Sequence, residues 1–317
     1  MKQRQRGVAL ITVMLIVVVA TVLSVQMASE QNLTVRRATS QFDASQARQY
    51  AFGGEELARQ ILHEDFVEQP MKDTLAEPWS SPELVFEFEG GQVEIRIEDL
   101  QGRINVNGLV DGGAAVVTGQ RLVALATLLG VDPVFVDRIR DWVDANDVKG
   151  ALGAEDFDYL GLETPYRAAD QAMVDLSELR LILEMNDEVY QALVPYLSAI
   201  PVPGVVINLN TAPAGVLAAV SPSLTLDMAE GLVAQRDQQQ GYESIQDFLP
   251  QLPAQGMSSD LLGVQSAFFQ VSVRARYGER YAYLTSVIQR DPADGSMRVI
   301  YRDISRKVYP VQVALDG

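Results

Sequence analysis

No charged residue occurs between Val8 and Ser29. A hydrocarbon bilayer core is crossed by a helix of roughly 20 apolar residues, so this stretch has the length of one membrane span. A helix is the form it must take, because a single segment in lipid has to satisfy its own backbone groups. Lys2, Arg4 and Arg6 stand immediately before it, and Glu30 is the first charge after it. Basic residues are retained on the cytoplasmic side, which predicts a single-pass protein of the bacterial inner membrane with its C-terminal bulk in the periplasm.

A secretory signal peptide competes with this reading, but it needs small residues just beyond its apolar core. Gln26, Met27 and Glu30 fit such a site poorly, and Ser24 is a weak alternative. An uncleaved anchor is a second competitor. The run Arg6-Gly7-Val8-Ala9-Leu10-Ile11-Thr12 resembles the cleavage site of type IV prepilins and pseudopilins. That resemblance implies a leader at residues 1–7, removal by a prepilin peptidase between Gly7 and Val8, methylation of the new N-terminus, and a retained transmembrane helix at 8–29. Most members of that family carry Glu at mature position five, where this chain has Thr12. A buried carboxylate is costly without a partner. In the family its partner is thought to be the N-terminal ammonium of the subunit assembled above, so Thr12 implies a place at a filament tip, although a merely tolerated helix residue explains it equally well.

The chain has 42 acidic against 25 basic residues, a formal net charge of -17. Such a surface repels phosphate backbones, so no nucleic acid partner is expected. With no cysteine and one histidine, His63, disulfides, thiol nucleophiles and multi-histidine metal sites are excluded. His63 sits in Leu62-His63-Glu64-Asp65 and reads as a solvated surface residue.

From Glu30 to about Phe66 there is no proline, and Leu33, Val35, Phe42, Ala47, Tyr50, Leu57 and Ile61 alternate with charged residues. This predicts an amphipathic continuation of the anchor, one helix of about 55–60 residues and ~85 Å. Gly53-Gly54 marks a bend or a close backbone approach. Leu84–Glu89 and Gln92–Asp99 alternate apolar and polar residues around Gly90-Gly91, a hairpin signal. Phe268–Arg276 and Arg280–Gln289 do so around Tyr277-Gly278-Glu279, with further strand signals at Met297–Ile304 and Val308–Val313. The middle of the chain is helical in pattern. The expected fold class is therefore α+β: a long N-terminal transmembrane helix packed on an antiparallel sheet, with an all-α domain inserted. The boundaries read as 30–111 for the first part of the sheet domain, 112–264 for the insertion and 265–317 for the closing strands.

Within this layout several segments resemble the GspK family of minor pseudopilins from type II secretion systems. They are Arg48–Gly54, Asp99–Asn107, Asp141-Trp-Val-Asp144, Gly153–Tyr159 and Ile207–Ala212. The cysteines usual in that family are missing here. The resemblance implies a non-enzymatic subunit that forms the tip of a periplasmic pseudopilus and helps initiate its assembly. Implied partners are minor pseudopilins of the GspI, GspJ and GspH types, the major pseudopilin, the prepilin peptidase, and through the insertion the secretion channel or exported proteins.

Asp141-Trp-Val-Asp144-Ala-Asn146-Asp147 is followed by Glu155-Asp156-Phe-Asp158. Oxygen ligands this close in sequence suit a hard cation such as calcium. Asp144, Asn146 and Glu155 match EF-hand positions one, three and twelve, but Val148 and Lys149 break the pattern at five and six. A solvated helix end with acidic caps explains the same residues equally well. The GspK resemblance implies a calcium-binding helical domain, which favours a structural calcium held by Asp144, Asn146, Asp147, Glu155 and Asp158.

Ile207–Leu217, Ala229–Asp237 and Gly241–Leu249 resemble a helix-hairpin-helix DNA-binding module. Its phosphate-holding glycine turn is replaced by Ser221-Pro-Ser-Leu-Thr-Leu-Asp227, which removes the chemistry and leaves a packing scaffold. Ile104-Asn-Val-Asn107 and Ile207-Asn-Leu-Asn210 hint at two related units. The competing functions are a minor pilin of a surface or DNA-uptake pilus and a membrane-anchored periplasmic enzyme using paired carboxylates.

Overall fold

The computed structural model describes residues 5–82, 84–110, 112–252 and 260–305, with side chains from Ala9 onward. The strand expected at Val308–Val313 lies outside them. Helix α1 runs unbroken from Gln5 to Glu68, 64 residues or roughly 95 Å. Strands β1 (Leu84–Phe88) and β2 (Gly91–Asp99) form the expected hairpin. The chain then leaves the sheet at Asp99 and returns at Phe268. Between them come β3 (Ile104–Asn105), α2 (Gly112–Leu128), α3 (Val134–Val143), α4 (Asp156–Leu160) and α5 (Asp187–Leu193). After these follow β4 (Leu197–Ser198), β5 (Ile207–Asn208), α6 (Ala214–Ala218), α7 (Leu226–Gln238), α8 (Ile245–Phe248) and β6 (Leu262–Gly263). Strands β7 (Phe268–Tyr277), β8 (Arg280–Arg290) and β9 (Met297–Asp303) complete an antiparallel sheet ordered β1-β2-β7-β8-β9.

The rear half of α1 lies across this sheet on small residues. Ala47, Ala51, Gly54 and Ala58 recur three or four positions apart, so they form one narrow stripe, continued by Leu62. The stripe meets Val93, Ile95 and Ile97 of β2, Val271, Val273 and Ala275 of β7, and Leu284 and Ile288 of β8. Gly54 sets the closeness: a Cβ there would stand 2.7 Å from Val273 Cγ1 and 2.8 Å from Val93 Cγ1. Gly53 faces open space. The pair therefore serves approach, and α1 is not broken there.

At the edges of this contact, Tyr50 stacks on Phe88 with ring centroids 4.0 Å apart and on Tyr277 at 5.7 Å. Buried Glu55 accepts two hydrogen bonds from Arg302 of β9, at 2.7 and 2.8 Å, and one from Ser286. Leu33 and Val35, expected on the apolar face, are exposed. Ala47 is the first buried residue after Ala9; ahead of it the β7–β8 turn meets α1 at its edge, where Ser40 accepts from Arg280 and Phe42 lies edge-on to Tyr277.

The excursion between β2 and β7 has its own apolar cluster, from Ile104 to Leu262. It includes Val106 and Leu109, ahead of the helical pattern that begins at 112. Two units are visible in it. Strand β3 pairs in parallel with β4, and β5 pairs in parallel with β6. In each unit the second asparagine clamps a distant backbone from both sides. Asn107 receives Met173 N and donates to Met173 O, at 2.8 and 2.9 Å; Asn210 does the same with Tyr242, at 2.7 and 3.0 Å. The repeated Ile-Asn-x-Asn is thus a repeated structural device, an amide side chain completing what a strand neighbour would otherwise supply.

Gly54→Leu forces side chain into the helix–sheet contact and is expected to cost about 1–3 kcal/mol. Gly53→Ala is expected to be neutral or to stabilise by up to ~1 kcal/mol, because alanine favours the helix. Chemical denaturation of the two variants side by side checks this contrast.

Candidate functional site: the free apolar helix and the acidic loop

Residues 9–39 of α1 are all exposed, and contact with the sheet begins at Ser40, which accepts from Arg280, and Phe42, edge-on to Tyr277 with centroids 6.1 Å apart. Among residues 9–46 none is buried, and Leu10, Ile11 and Met14 are each about 70% exposed. The helix from Ala9 onward contains a window of mean hydropathy 2.5 with no buried residue, long and apolar enough to cross a membrane. A single apolar helix is costly to leave in water, and this one is consistent with a single-pass membrane anchor. Gly7 and Val8 lie within α1 at its start. The Thr12 hydroxyl donates to Ala9 O at 3.3 Å, so it is satisfied within its own helix. A carboxylate at that position is ionised and acceptor-only, and needs a donor from outside.

The acidic loop joins α3 to α4. Its floor is aromatic: Trp142 meets Tyr159 and Tyr166 edge-on, with centroids 5.3 and 6.4 Å apart. Asp141, at the end of α3, turns its carboxylate into the loop and accepts from Gly150 N at 2.9 Å. Glycine is required opposite it, because a Cβ on Gly153 would stand 1.7 Å from Asp141 Oδ2. Asp144 Oδ1 accepts from the Asn146 backbone at 3.1 Å and from its side chain at 2.6 Å; Asn146 Oδ1 accepts from Val148 N at 2.9 Å.

The other sequence candidates separate into two kinds. Asp158 is already compensated. Lys149 Nζ sits 2.8 and 2.9 Å from its two oxygens and Glu155 N donates to it, which holds its carboxyl below the usual range. Glu155 is the opposite case. Burial first, then the charges of Asp141, Asp170, Asp144 and Asp147, push it up to about 7. Its Oε1 is buried with no hydrogen-bond partner, and so is Oδ1 of Asp170. Asp170 also adopts a left-handed backbone, φ 50°, and burial and neighbouring acids raise its carboxyl too.

Asp144, Asp147 and Glu155 therefore belong to one mutually repelling group, with Asn146 beside it and Asp158 tied to Lys149. The group does not form a closed shell. Among the described residues only Asp65, Asp73 and Glu77 bring three carboxylate oxygens within 4.8 Å of one another. Sequence reasoning passed over Asp141 as a ligand, and over Asp170 altogether, because a lone aspartate beyond α4 carries no spacing signal. His63 is exposed, as its polar neighbours indicated. The helix-hairpin-helix resemblance resolves into α6 and α7, joined through a turn without glycine, with Thr225 capping Met228 N at 3.3 Å.

A continuous N-terminal helix, free and apolar in front and seated on an antiparallel sheet behind, defines a pilin-like subunit. Residues 102–202 and 207–272 match family models described as type II secretion system (T2SS), protein K, and each match takes in one of the two Ile-Asn-x-Asn units. The chain is 37% identical to the type II secretion system protein K of Pseudomonas aeruginosa strain PAO1, over 98% of this chain and 96% of that one. It is 33% identical to the protein of the same name from Pectobacterium carotovorum subsp. carotovorum, over 88% and 90%. The fold is similar to a crystal structure of the GspK-GspI-GspJ complex of enterotoxigenic Escherichia coli. The TM-score is 0.75 at 26% identity, covering 86% of this chain and 100% of that one. The chain belongs to the type II secretion system protein K family, and its role is that of a minor pseudopilin.

The raised Glu155 carboxyl gives a signed prediction for the chain in chelator. A group whose folded pKa lies above its unfolded value of 4.5 costs stability as pH rises through the interval to about 7. Glu155→Gln removes that cost and is expected to gain on the order of 1 kcal/mol at pH 8 and nothing at pH 4. Thermal melts at the two pH values check it.

Proposed function

We propose that the chain is cut between Gly7 and Val8 by a prepilin peptidase, methylated there, and held in the bacterial inner membrane by residues 8–29. Its bulk then occupies the periplasm. It joins minor pseudopilins of the GspI, GspJ and GspH types as the tip of a pseudopilus whose shaft is the major pseudopilin, and helps start assembly. The observation that carries this reading is the front half of α1, apolar and without a single buried residue. Burying it against like helices is the driving force for joining a filament. Thr12 supports the terminal position, because its hydroxyl is satisfied by Ala9 O and asks nothing of a subunit above. The helical excursion adds bulk where a further subunit would stack, and presents the surface that meets the secretion channel or exported proteins. The contribution is assembly, with no reaction catalysed.

A structural calcium in the acidic loop completes the reading. Glu155 Oε1 and Asp170 Oδ1 are buried acceptors without donors, beside Asp141, Asp144 and Asp147. An all-oxygen acidic donor set of this kind fits a hard divalent cation. Glu155, Asp170, Asp144 and Asp147 would hold it, with Asn146 as a carbonyl ligand. Asp158 would serve by capping α4 while paired with Lys149. The ion would supply positive charge that Lys149, committed to Asp158, does not give Glu155 and Asp170.

Two measurements test these statements. Intact mass of the chain extracted from membranes containing a prepilin peptidase is expected to correspond to a start at Val8 plus one methyl group. A full-length mass, or a start beyond Ser29, contradicts the processing. Calorimetric titration with calcium is expected to give binding heat and a higher melting temperature. Both should be lost in Glu155→Gln and retained in Asp158→Ala with weaker affinity. No heat with the unmodified chain removes the calcium.

A further inference from the structure

Where the helical region meets the sheet, a group of charges is buried that neither the anchor nor the acidic loop uses. Asp65 lies in the last turn of α1, Asp73 and Glu77 in the segment after it, and Arg290 at the end of β8. All four are less than 10% exposed. Oxygens of the three carboxylates lie within 4.8 Å of one another. One guanidinium faces them: Arg290 pairs with Asp73, reaches Asp65 Oδ2 at 3.5 Å, donates to Ser266 O at 2.9 Å, and lies over the rings of Phe66 and Phe269.

Asp73 ties the segment after α1 to the helical region and its exit. Asp73 Oδ2 accepts from Ser266 N at 2.7 Å, Asp73 N donates to Val264 O at 2.9 Å, and Asp73 O accepts from Asn208 at 3.1 Å. Asn208 and Ser266 also donate to Asp99, another fully buried carboxylate behind them. Glu77 Oε2 accepts from Thr74 N at 3.0 Å and Trp79 Nε1 at 2.7 Å, and its Oε1 lies 3.2 Å from the Thr74 hydroxyl.

Three buried carboxylates this close cannot all be ionised against one cation. We propose that Asp65 keeps a proton at neutral pH and shares it with Glu77, so that the junction between the anchor helix and the helical region is a proton-dependent latch, tighter in mild acid. Arg290 already supplies the one positive charge that faces the cluster, so a proton is enough to relieve the remaining repulsion. Burial, then the charges of Glu77 and Asp73, push Asp65 up to about 8, while Asp73 is raised to about 6. An Asp65 exposed by opening regains its ordinary value of 3.8 and releases the proton. The opening constant therefore rises with pH from about 4 up to about 8 and levels off above, by up to tenfold per unit for one proton. Between pH 6 and 8 Asp65 is the cluster member that contributes.

Hydrogen exchange of the full chain in detergent, with chelator and corrected for intrinsic rates, tests this at the amides of Asp73 and Ser266, with α7 as internal reference. Opening is expected to rise up to ~100-fold from pH 6 to 8 at these amides, with no such rise in α7 and a flat profile in Asp65→Asn. An independent readout is the infrared band of a protonated carboxyl in Glu155→Gln, which removes the acidic-loop carboxyl raised to about 7. A band is expected there at pH 7 and is lost when Asp65→Asn is added. A junction whose exchange is flat from pH 6 to 8, or no such band in Glu155→Gln, overturns the proposal. Loss of that band on adding calcium to Glu155→Gln also overturns it, in favour of a metal site. If the Asp65→Asn variants do not fold, the Glu155→Gln band and the pH profile of the unmodified chain decide.

Discussion

The fold depends on how closely one helix can lie on one sheet. Ala47, Ala51 and Ala58 put nothing larger than a methyl group, and Gly54 nothing at all, on the stripe of α1 that faces β2 and β7. That closeness lets a single helix cover the centre of a five-stranded sheet, and it aligns Tyr50, Glu55 and Leu62 with their partners. It also fixes the direction in which the remaining turns project. The same helix that forms the spine of the folded part therefore delivers an uncovered apolar rod beyond it.

The helical region is attached to this frame by polar contacts as much as by packing. Its entry and exit, at Asp99 and Ser266, are bonded to one another and to Asn208. Arg290 then connects the exit to the end of α1. Buried charge is costly, and its retention where three chain segments converge is consistent with a role in fixing their arrangement. The acidic loop, by contrast, interrupts the first of two related units. The second unit joins α7 to α8 through a shorter connection, with Ser244 and Asp247 in the capping positions that Glu155 and Asp158 hold in the first.

Much of the architecture was legible because it rests on local rules. The uncharged run ending at Ser29, the alternation in β1, β2, β7 and β8, and the turn glycines Gly90 and Gly278, with φ of 90° and 53°, were all readable from spacing. The hairpin turn fell one residue earlier than its glycine pair indicated, because Gly91 pairs within β2, where a Cβ would stand 1.9 Å from Arg276 O. The buried face of α1 was read too widely, since Leu33 and Val35 look amphipathic yet have no sheet beneath them. What sequence could not show was convergence. Asp65, Asp73, Glu77 and Arg290 are scattered along the chain and carry no mutual spacing, and Asp170 reaches the acidic loop only through the fold.

The central claim is that one helix has two halves with different surroundings, a membrane or filament core in front and the sheet behind. The chain has no cysteine, so single introduced thiols report each half without interference. Labelling of Leu15→Cys and Glu56→Cys with a membrane-impermeant maleimide, in spheroplasts, is the most direct measurement. The account predicts rapid labelling at Glu56, which is exposed beyond the anchor, and protection at Leu15 until detergent is added. Equal labelling at both positions in intact spheroplasts would contradict it.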